Sequence, residues 1–302
     1  MPTPSPAFSS SNLPKKDVAA EAVDTAASLR ANQMFNVEGR VVVITGGTRG
    51  IGLAIAEGFL MNGVEKVYVC SRKKQACLEI EKQMNNWVKE EYQKAGIKSR
   101  SLPKLIALEA DLQTVEGVES FCKQITDKKV DILVNNSGTN WAESIDTYSP
   151  EAWNKVMDLN LKTPFYVIQH LLPKLRNAAS AENPARIINI GSINGVTAPS
   201  MDTFAYSTSK AGLHHLTKHL ALRLASENIT VNALACGFFF TKMTKQTFED
   251  FGDHIMDNIP LGRASRSSDI AGAALFLSSP ASSWMTGNII ALDGGSLIKS
   301  SL

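Results

Sequence analysis

The stretch "RVVVITGGTRGIG", Arg40–Gly52, contains the two patterns that predict the fold of this chain. Its first half is a continuous apolar run rich in β-branched residues, which is typical of a strand buried on both faces of a parallel sheet. Glycines follow at once, and the next segment, "GIGLAIAEGFLMNG", has helical spacing and ends at Gly63. A buried strand, a glycine-rich turn and a helix in this order predict the first unit of an α/β fold.

The same alternation of strands and helices continues to the end of the chain. We predict further strands at "KVYVCS", "KLIALEA", "VDILVNNSG", "ARIINIGS", "ITVNALACG" and "GNIIALDGG", and helices over residues 73–95, 114–127, 151–178 and 206–227. Residues 37–302 are therefore predicted to form a single doubly wound, Rossmann-type parallel sheet flanked by helices.

Residues 1–36 differ in composition and are interpreted as an N-terminal extension. The segment "MPTPSPAFSSSNLPKK" is rich in proline and serine, which predicts disorder. The following "DVAAEAVDTAASLRANQ" is rich in alanine and favours one helix, either docked or isolated.

Composition excludes several classes of protein. A formal net charge of +2 over 302 residues predicts neither nucleic-acid binding nor a polybasic membrane anchor. No apolar run approaches the about 20 residues of a membrane span, and the N-terminus lacks the pattern of a secretory signal. Four scattered cysteines suit a reducing compartment. We expect a soluble cytoplasmic protein; the final "SSL" offers a peroxisomal alternative.

The glycine loop "TGGTRGIG", Thr45–Gly52, predicts dinucleotide binding. Glycines permit a tight turn and a close backbone approach to a pyrophosphate, and the helix N-terminus offers N–H groups to it. The second strand ends in "CSRK" instead of the acid that usually binds an NAD ribose. Arg49 and Arg72 would therefore bind a 2′-phosphate, which favours NADP(H), unless they are solvated surface charges. Asp111 would hold the adenine amino group or, alternatively, cap the next helix.

The segment "FAYSTSK", Phe204–Lys210, places a tyrosine and a lysine one helical turn apart. A phenol has an unperturbed pKa of about 10, and an ammonium group beside it favours the phenolate. Tyr206 and Lys210 could thus form a tuned general acid, although this spacing also arises by chance in unrelated helices.

Six motifs taken together resemble the short-chain dehydrogenase/reductase family over Val37 to Gly295. They are the glycine loop, "NNSG" (135–138), "MDLNLKTPF", "INIGSINGV", "YSTSK" and "VNALACGFFFTKM". Within the family, the chain is most similar to 3-oxoacyl-(acyl-carrier-protein) reductases of the rhamnolipid-pathway type. It departs from the family pattern at Ser137, which replaces an alanine, and at Cys236, which replaces a proline.

The resemblance implies a carbonyl reductase with four catalytic residues. Tyr206 would be the acid and Ser192 would orient the carbonyl. Lys210 would lower the pKa of Tyr206 and bind the nicotinamide ribose, and Asn160 would hold a water molecule that links Lys210 to solvent. The expected cofactor-binding residues are Gly46, Thr48, Arg49, Gly50, Ile51, Gly52, Ser71, Arg72, Asp111, Leu112, Asn136, Gly138, Tyr206, Lys210, Gly237 and Thr241.

The expected substrate is a ketone, with a 3-oxoacyl thioester first and keto-esters, diketones or sugar ketones next. The alternative is an idle NADP-binding scaffold, which the fold permits. No metal is expected, because His215 and His219 lack a third ligand. The family further implies a homotetramer or homodimer formed through the long helices on either side of Tyr206.

Overall fold

The computed structural model describes residues 25–97 and 101–299. Within these residues, seven strands form one sheet in the order β3-β2-β1-β4-β5-β6-β7, and all neighbouring strands are parallel. The strands are β1 (Val41–Ile44), β2 (Lys66–Ser71), β3 (Lys104–Glu109), β4 (Ile132–Asn135), β5 (Ala185–Ile190), β6 (Ile229–Cys236) and β7 (Ile289–Leu292). The prediction of one doubly wound parallel sheet is confirmed.

Helices cover both faces of the sheet. They are α1 (Ala31–Met34), α2 (Gly50–Met61), α3 (Lys74–Lys94), α4 (Val115–Gln124), α5 (Pro150–Met157), α6 (Thr163–Ala178), α7 (Phe204–Leu224), α8 (Lys245–Asp257) and α9 (Ser267–Ser278). Successive β1 residues point to opposite faces, so Val42 packs in the core beneath α2 and α9, and Val43 packs beneath α4 and α6. Both cores are apolar, which explains why the strands read as continuous hydrophobic runs.

The long helix predicted over 151–178 contains an interruption. A π-helical turn, Asp158–Lys162, separates α5 from α6 and contains Asn160. Such turns are rare and occur often at functional sites. Local spacing gave no sign of it, because the apolar pattern continues through the turn.

Helices α8 and α9 were not predicted. Helix α9 packs closely on α2 through small residues. A Cβ on Gly58 of α2 would lie only 2.7 Å from the Cβ of Ala271 on α9. This close packing uses alanine and glycine, which carry little periodic signal. Helix α8 has no buried residue, although Phe248, Phe251 and Ile255 recur at helical spacing and form an apolar stripe in its sequence.

The end of the N-terminal extension packs on the domain. The ring of Phe35 lies 6.5 Å from that of Phe276 on α9, and Val37 is buried in the core. The predicted disorder of residues 1–16 and the C-terminal "SSL" lie outside the described residues. Among the described helices, none is long and apolar enough to cross a membrane.

Candidate active site

A cleft of about 620 Å³ lies along the carboxyl ends of the strands. Parallel strands end at one edge of a sheet, so the loops that follow β1, β2, β3, β4 and β6 meet there. Every residue predicted to bind the cofactor lines this cleft except Gly52. Of the predicted catalytic residues, Tyr206 and Lys210 line it, whereas Ser192 and Asn160 lie behind its wall.

The glycine loop takes a shape that side chains would prevent. Gly46 and Gly50 have φ angles of +67° and +56°, which favour glycine. A Cβ on Gly47 would lie 2.5 Å from Val69, and a Cβ on Gly52 would lie 2.4 Å from the Asn136 amide nitrogen. Gly52 therefore acts in packing, and the loop can present backbone N–H groups to the cleft.

Asn136 holds this loop in place. Its side-chain amide donates to the carbonyl oxygens of Thr45 and Gly46 at 2.9 and 3.1 Å. The Thr45 hydroxyl in turn accepts from the backbone N–H groups of Asn136 and Ser137, both at 3.0 Å. The end of β4 is thereby joined to the end of β1.

One end of the cleft carries unpaired positive charge. Arg49, Arg72 and Lys73 line it, and none forms an ion pair with any carboxylate of the described residues. Asp111 lines the same end, where its carboxylate accepts from the backbone N–H of Gln113 at 3.1 Å. It does not cap α4, because Thr114 occupies that position and accepts from Gly117 at 3.0 Å.

The other end of the cleft holds Tyr206 and Lys210. Both lie in the first two turns of α7. The buried Lys210 ammonium donates to the Ile190 carbonyl at 2.7 Å. Burial lowers the pKa of Lys210 to about 8. The loop after β5 places Ser192 beside them, buried, with its hydroxyl accepting from Asn194 at 3.2 Å.

The pKa of Tyr206 differs from the sequence-based expectation. Burial of the hydroxyl raises it, and the Ser192 hydroxyl lowers it by a smaller amount. Lys210 does not bring this pKa down, because its ammonium group points to Ile190 and lies 5.7 Å from the centre of the Tyr206 ring. In this arrangement the phenol keeps its proton at neutral pH.

Asn160 supports the site from behind. Its amide oxygen accepts from the Thr139 N–H at 2.8 Å, and its amide nitrogen donates to the Thr139 carbonyl at 2.9 Å and the Ser209 hydroxyl at 3.1 Å. A Cβ on Gly138 would lie 3.3 Å from the Asn160 oxygen, so the loop after β4 packs directly against this side chain. Asn160 thus joins that loop to α7.

Several residues of the cleft were missed from the sequence. Lys155 and Leu159 reach it from α5 and the π-helical turn, and Thr139, Lys242, Met243 and Thr244 extend predicted segments by a few positions. Lys242, Met243 and Thr244 could have been predicted, because they directly follow Thr241, a predicted cofactor-binding residue. The Thr244 hydroxyl donates to the Phe239 carbonyl at 2.6 Å and fixes this turn.

The three phenylalanines of "FFF" have different environments. Phe239 is buried and lines the cleft, whereas Phe238 stacks on Phe248 of α8 with ring centres 5.6 Å apart. Phe240 is 58% exposed beside the cleft and contacts Phe248 edge to face. Phe239 thus forms part of both the core and the cleft wall, whereas the exposed Phe240 adds an apolar surface outside the cleft.

Comparisons with known proteins identify the family of this chain. The family described as short chain dehydrogenase matches residues 40–251. The rhamnolipids biosynthesis 3-oxoacyl-[acyl-carrier-protein] reductase of Pseudomonas aeruginosa is 39% identical over 86% of this chain and 97% of its own length. The 3-oxoacyl-[acyl-carrier-protein] reductase of Aquifex aeolicus is 34% identical over 86% of this chain and 98% of its own.

Solved structures share the fold. The RhlG/NADP active-site complex from Pseudomonas aeruginosa superposes with a TM-score of 0.78 at 38% identity, covering 87% of this chain and 98% of that one. A gluconate 5-dehydrogenase from Burkholderia cenocepacia in complex with NADP and tartrate gives 0.76 at 26% identity, covering 90% and 100%. The family match over residues 40–251 and these full-length similarities establish that the chain belongs to the short-chain dehydrogenase family.

Proposed function

We propose that this chain is an NADPH-dependent carbonyl reductase that converts a ketone into a secondary alcohol. The observation that carries the proposal is that Tyr206 and Lys210, with the buried Ser192 beside them, lie at one end of a cleft whose other end is a glycine loop with unpaired arginines. A proton donor and a dinucleotide cradle in one cleft are what hydride transfer to a carbonyl requires.

The residues present fit an NADP cofactor. The cradle exists only because glycine occupies positions 46, 47, 50 and 52, where side chains would collide or strain the backbone. Arg49, Arg72 and Lys73 would bind a 2′-phosphate, and Asp111 with Leu112 would contact the adenine. When bound, the cofactor supplies the hydride. NADP complexes of relatives at 38% and 26% identity support this assignment.

The chain's own groups then manage the proton. Tyr206, which keeps its proton because burial raises its pKa, would donate it to the carbonyl oxygen. Ser192 would donate a hydrogen bond to the same oxygen and hold it in place. Lys210 would bind the nicotinamide ribose, and Thr241 with Gly237 would contact the nicotinamide. Asn160 would hold the water molecule that returns protons through Lys210.

The first candidate substrate is a 3-oxoacyl thioester. Two relatives of at least 34% identity carry that activity in their names. The exposed side chains of Phe240 and Met243 beside the cleft suit the apolar tail of an acyl chain. Keto-esters, diketones and sugar ketones are the next candidates, and we further propose a cytoplasmic homodimer or homotetramer.

The alternative is an NADP-binding scaffold without turnover. The two functions are distinguished by following NADPH absorbance with acetoacetyl thioesters, keto-esters, diketones and ketoses, using wild type and Tyr206→Phe. Turnover that falls by about a thousandfold in Tyr206→Phe, with NADPH binding retained, supports the reductase, since a positioned acid contributes about 10²–10⁴-fold. NADPH binding without turnover of any carbonyl would support the scaffold, and equal activity in the variant would remove the role of Tyr206.

A further inference from the structure

We infer that His214 is a positioning residue, which holds the turn carrying Ser192 against the helix carrying Tyr206 and Lys210. The inference rests on the proposed function, because it concerns the geometry of that site. His214 lies on α7 one helical turn after Lys210, is only 6% exposed, and has no part in the reaction described above.

The imidazole occupies the space where side chains on two neighbouring glycines would go. A Cβ on Gly191 would lie 2.2 Å from Nε2 of His214 and 2.9 Å from its Cδ2. A Cβ on Gly195 would lie 2.9 Å from the ring's Cε1 and 2.6 Å from the Lys210 carbonyl carbon. Gly191 directly precedes Ser192, and Gly195 ends the short 3₁₀ turn, Ile193–Gly195, that follows it.

The ring of His214 is buried and neutral. Nε2 is buried and has no hydrogen-bond partner among the described residues. The Gly195 backbone raises the pKa of the ring, which opposes the larger effect of burial. Burial lowers the pKa of His214, so the ring is neutral and a single nitrogen carries the proton. The ring is thus packed against Gly191 through Nε2 and Cδ2, and against Gly195 through Cε1.

These contacts act together with the bond of Lys210. Lys210 holds the carbonyl of Ile190 at 2.7 Å, and His214 packs against Gly191, just before Ser192, and Gly195, three residues after it. Helix α7 therefore holds the segment from Ile190 to Gly195 in two successive turns. Because Tyr206 is on the same helix, these contacts set the distance between the acid and the hydroxyl that orients the carbonyl. A shift of about 1 Å in such a geometry costs about a hundredfold in rate.

Variants that enlarge the residue at position 191 or replace the imidazole at position 214, alone and together, test this contact. We expect His214→Leu to reduce kcat by about tenfold or more with little change in the KM for NADPH, since the glycine loop is remote from the ring. His214→Asn, which keeps a polar side chain beside Gly195, should retain more activity than His214→Leu. Gly191→Ala should lose about a hundredfold, because its methyl group collides with Nε2. Adding His214→Ala to Gly191→Ala should restore part of the lost activity, because the collision with the ring is removed while a 3.1 Å approach to the Leu234 carbonyl oxygen remains.

The control is Lys123→Ala, at an exposed position on α4 away from the cleft, which should match wild type. The inference is overturned if His214→Leu matches wild type, or if the double variant is no faster than Gly191→Ala. Thermal unfolding of wild type, Gly191→Ala, His214→Ala and the double variant tests the contact without any need for activity. The stability changes of the two single variants should not add up to that of the double variant, and additive changes would overturn the contact. A wild type that turns over no carbonyl contradicts only the proposed function.

Discussion

At the scale of single residues, Arg49 and Arg72 determine the cofactor in our proposal. Both line the cleft without a carboxylate partner among the described residues, and β2 ends in Ser71, where an acid would repel a 2′-phosphate. A hydrogen bond to a charged group is worth about 1.5–3 kcal/mol. We expect Arg72→Ala to lower the ratio of kcat/KM for NADPH over NADH by about 10- to 100-fold.

Steady-state rates with each cofactor measure that ratio. Lys123→Ala, which removes an exposed positive charge on α4 away from the cleft, is the matched control and should leave the ratio unchanged. An Arg72→Ala variant that keeps the wild-type preference would show that the guanidinium is a solvated surface charge.

Lys210 gives a second prediction, for stability against pH. Burial lowers its pKa to about 8 in the folded state, from 10.5 in the unfolded chain. Between these values the unfolded state binds more protons, so the Lys210 contribution to stability rises with pH. Below pH 8 both states are protonated and the full cost of the buried charge remains. The unfolding free energy of Lys210→Met minus that of wild type should therefore be largest near pH 7. This difference should fall by about 2–3 kcal/mol by pH 10.5.

Urea unfolding of both proteins at pH 7, 9 and 10 tests this expectation. The measured quantity is the difference in unfolding free energy between the two proteins, so titrations shared by both cancel. A difference that stays constant across this range would show that Lys210 remains protonated in the folded protein.

At the scale of elements, the π-helical turn Asp158–Lys162 directs Asn160 toward the loop after β4. Asn160→Ala would remove the side-chain partner of the half-buried Thr139 N–H and carbonyl, and that of the buried Ser209 hydroxyl. An unsatisfied buried group costs about 1–3 kcal/mol, so we expect about 2 kcal/mol lower stability. Urea unfolding measures this loss, and Asn154→Ala on the exposed face of α5 is the control. A loss equal to that of the control would remove this role.

Helix α8 gives a prediction for dynamics. It has no buried residue, and its backbone departs from helical angles at Phe251, where φ is −135° and ψ is 19°. Every residue of β6 is buried by comparison. Elements with few buried contacts open at low free energy, so we expect amides over 245–257 to exchange with solvent about a hundredfold faster than those of β6. Equal protection of the two segments would contradict this assignment.

The elements show which features a sequence can predict. The glycine loop belongs to one βα unit, and Tyr206 and Lys210 are one turn apart on α7, so their arrangement follows from local spacing. The bonds between Asn160 and Thr139, and the contact of His214 with Gly191, join segments that are distant in sequence. Nothing in local periodicity encodes them. Helix α8 is a different case, because Phe248, Phe251 and Ile255 follow helical spacing and the sequence does indicate this helix.

At the scale of the whole molecule, the parallel type of the sheet follows from the sequence, whereas the quaternary structure remains a proposal. Exposed apolar side chains support that proposal. Continuous apolar strands alternating with helices can hardly form anything except a parallel sheet covered on both faces. Which helix surfaces meet another subunit depends on exposed apolar side chains. Phe165 on α6 and Leu222 on α7 are 39% and 75% exposed, and Trp284, before the edge strand β7, is fully exposed.

These residues form two separate candidate interfaces, one on α6 and α7 and one beside β7. A closed tetramer uses two different self-complementary interfaces, whereas a dimer uses one. If the chain is a tetramer, Leu222→Glu and Trp284→Glu should each reduce it to a dimer in sedimentation velocity, and together they should give a monomer, because a buried charge disrupts an apolar contact. Leu78→Glu, at a 57% exposed position on α3, should leave the mass unchanged. In a dimer only one of the two substitutions would act, and a monomeric wild type at micromolar concentration would contradict both assemblies.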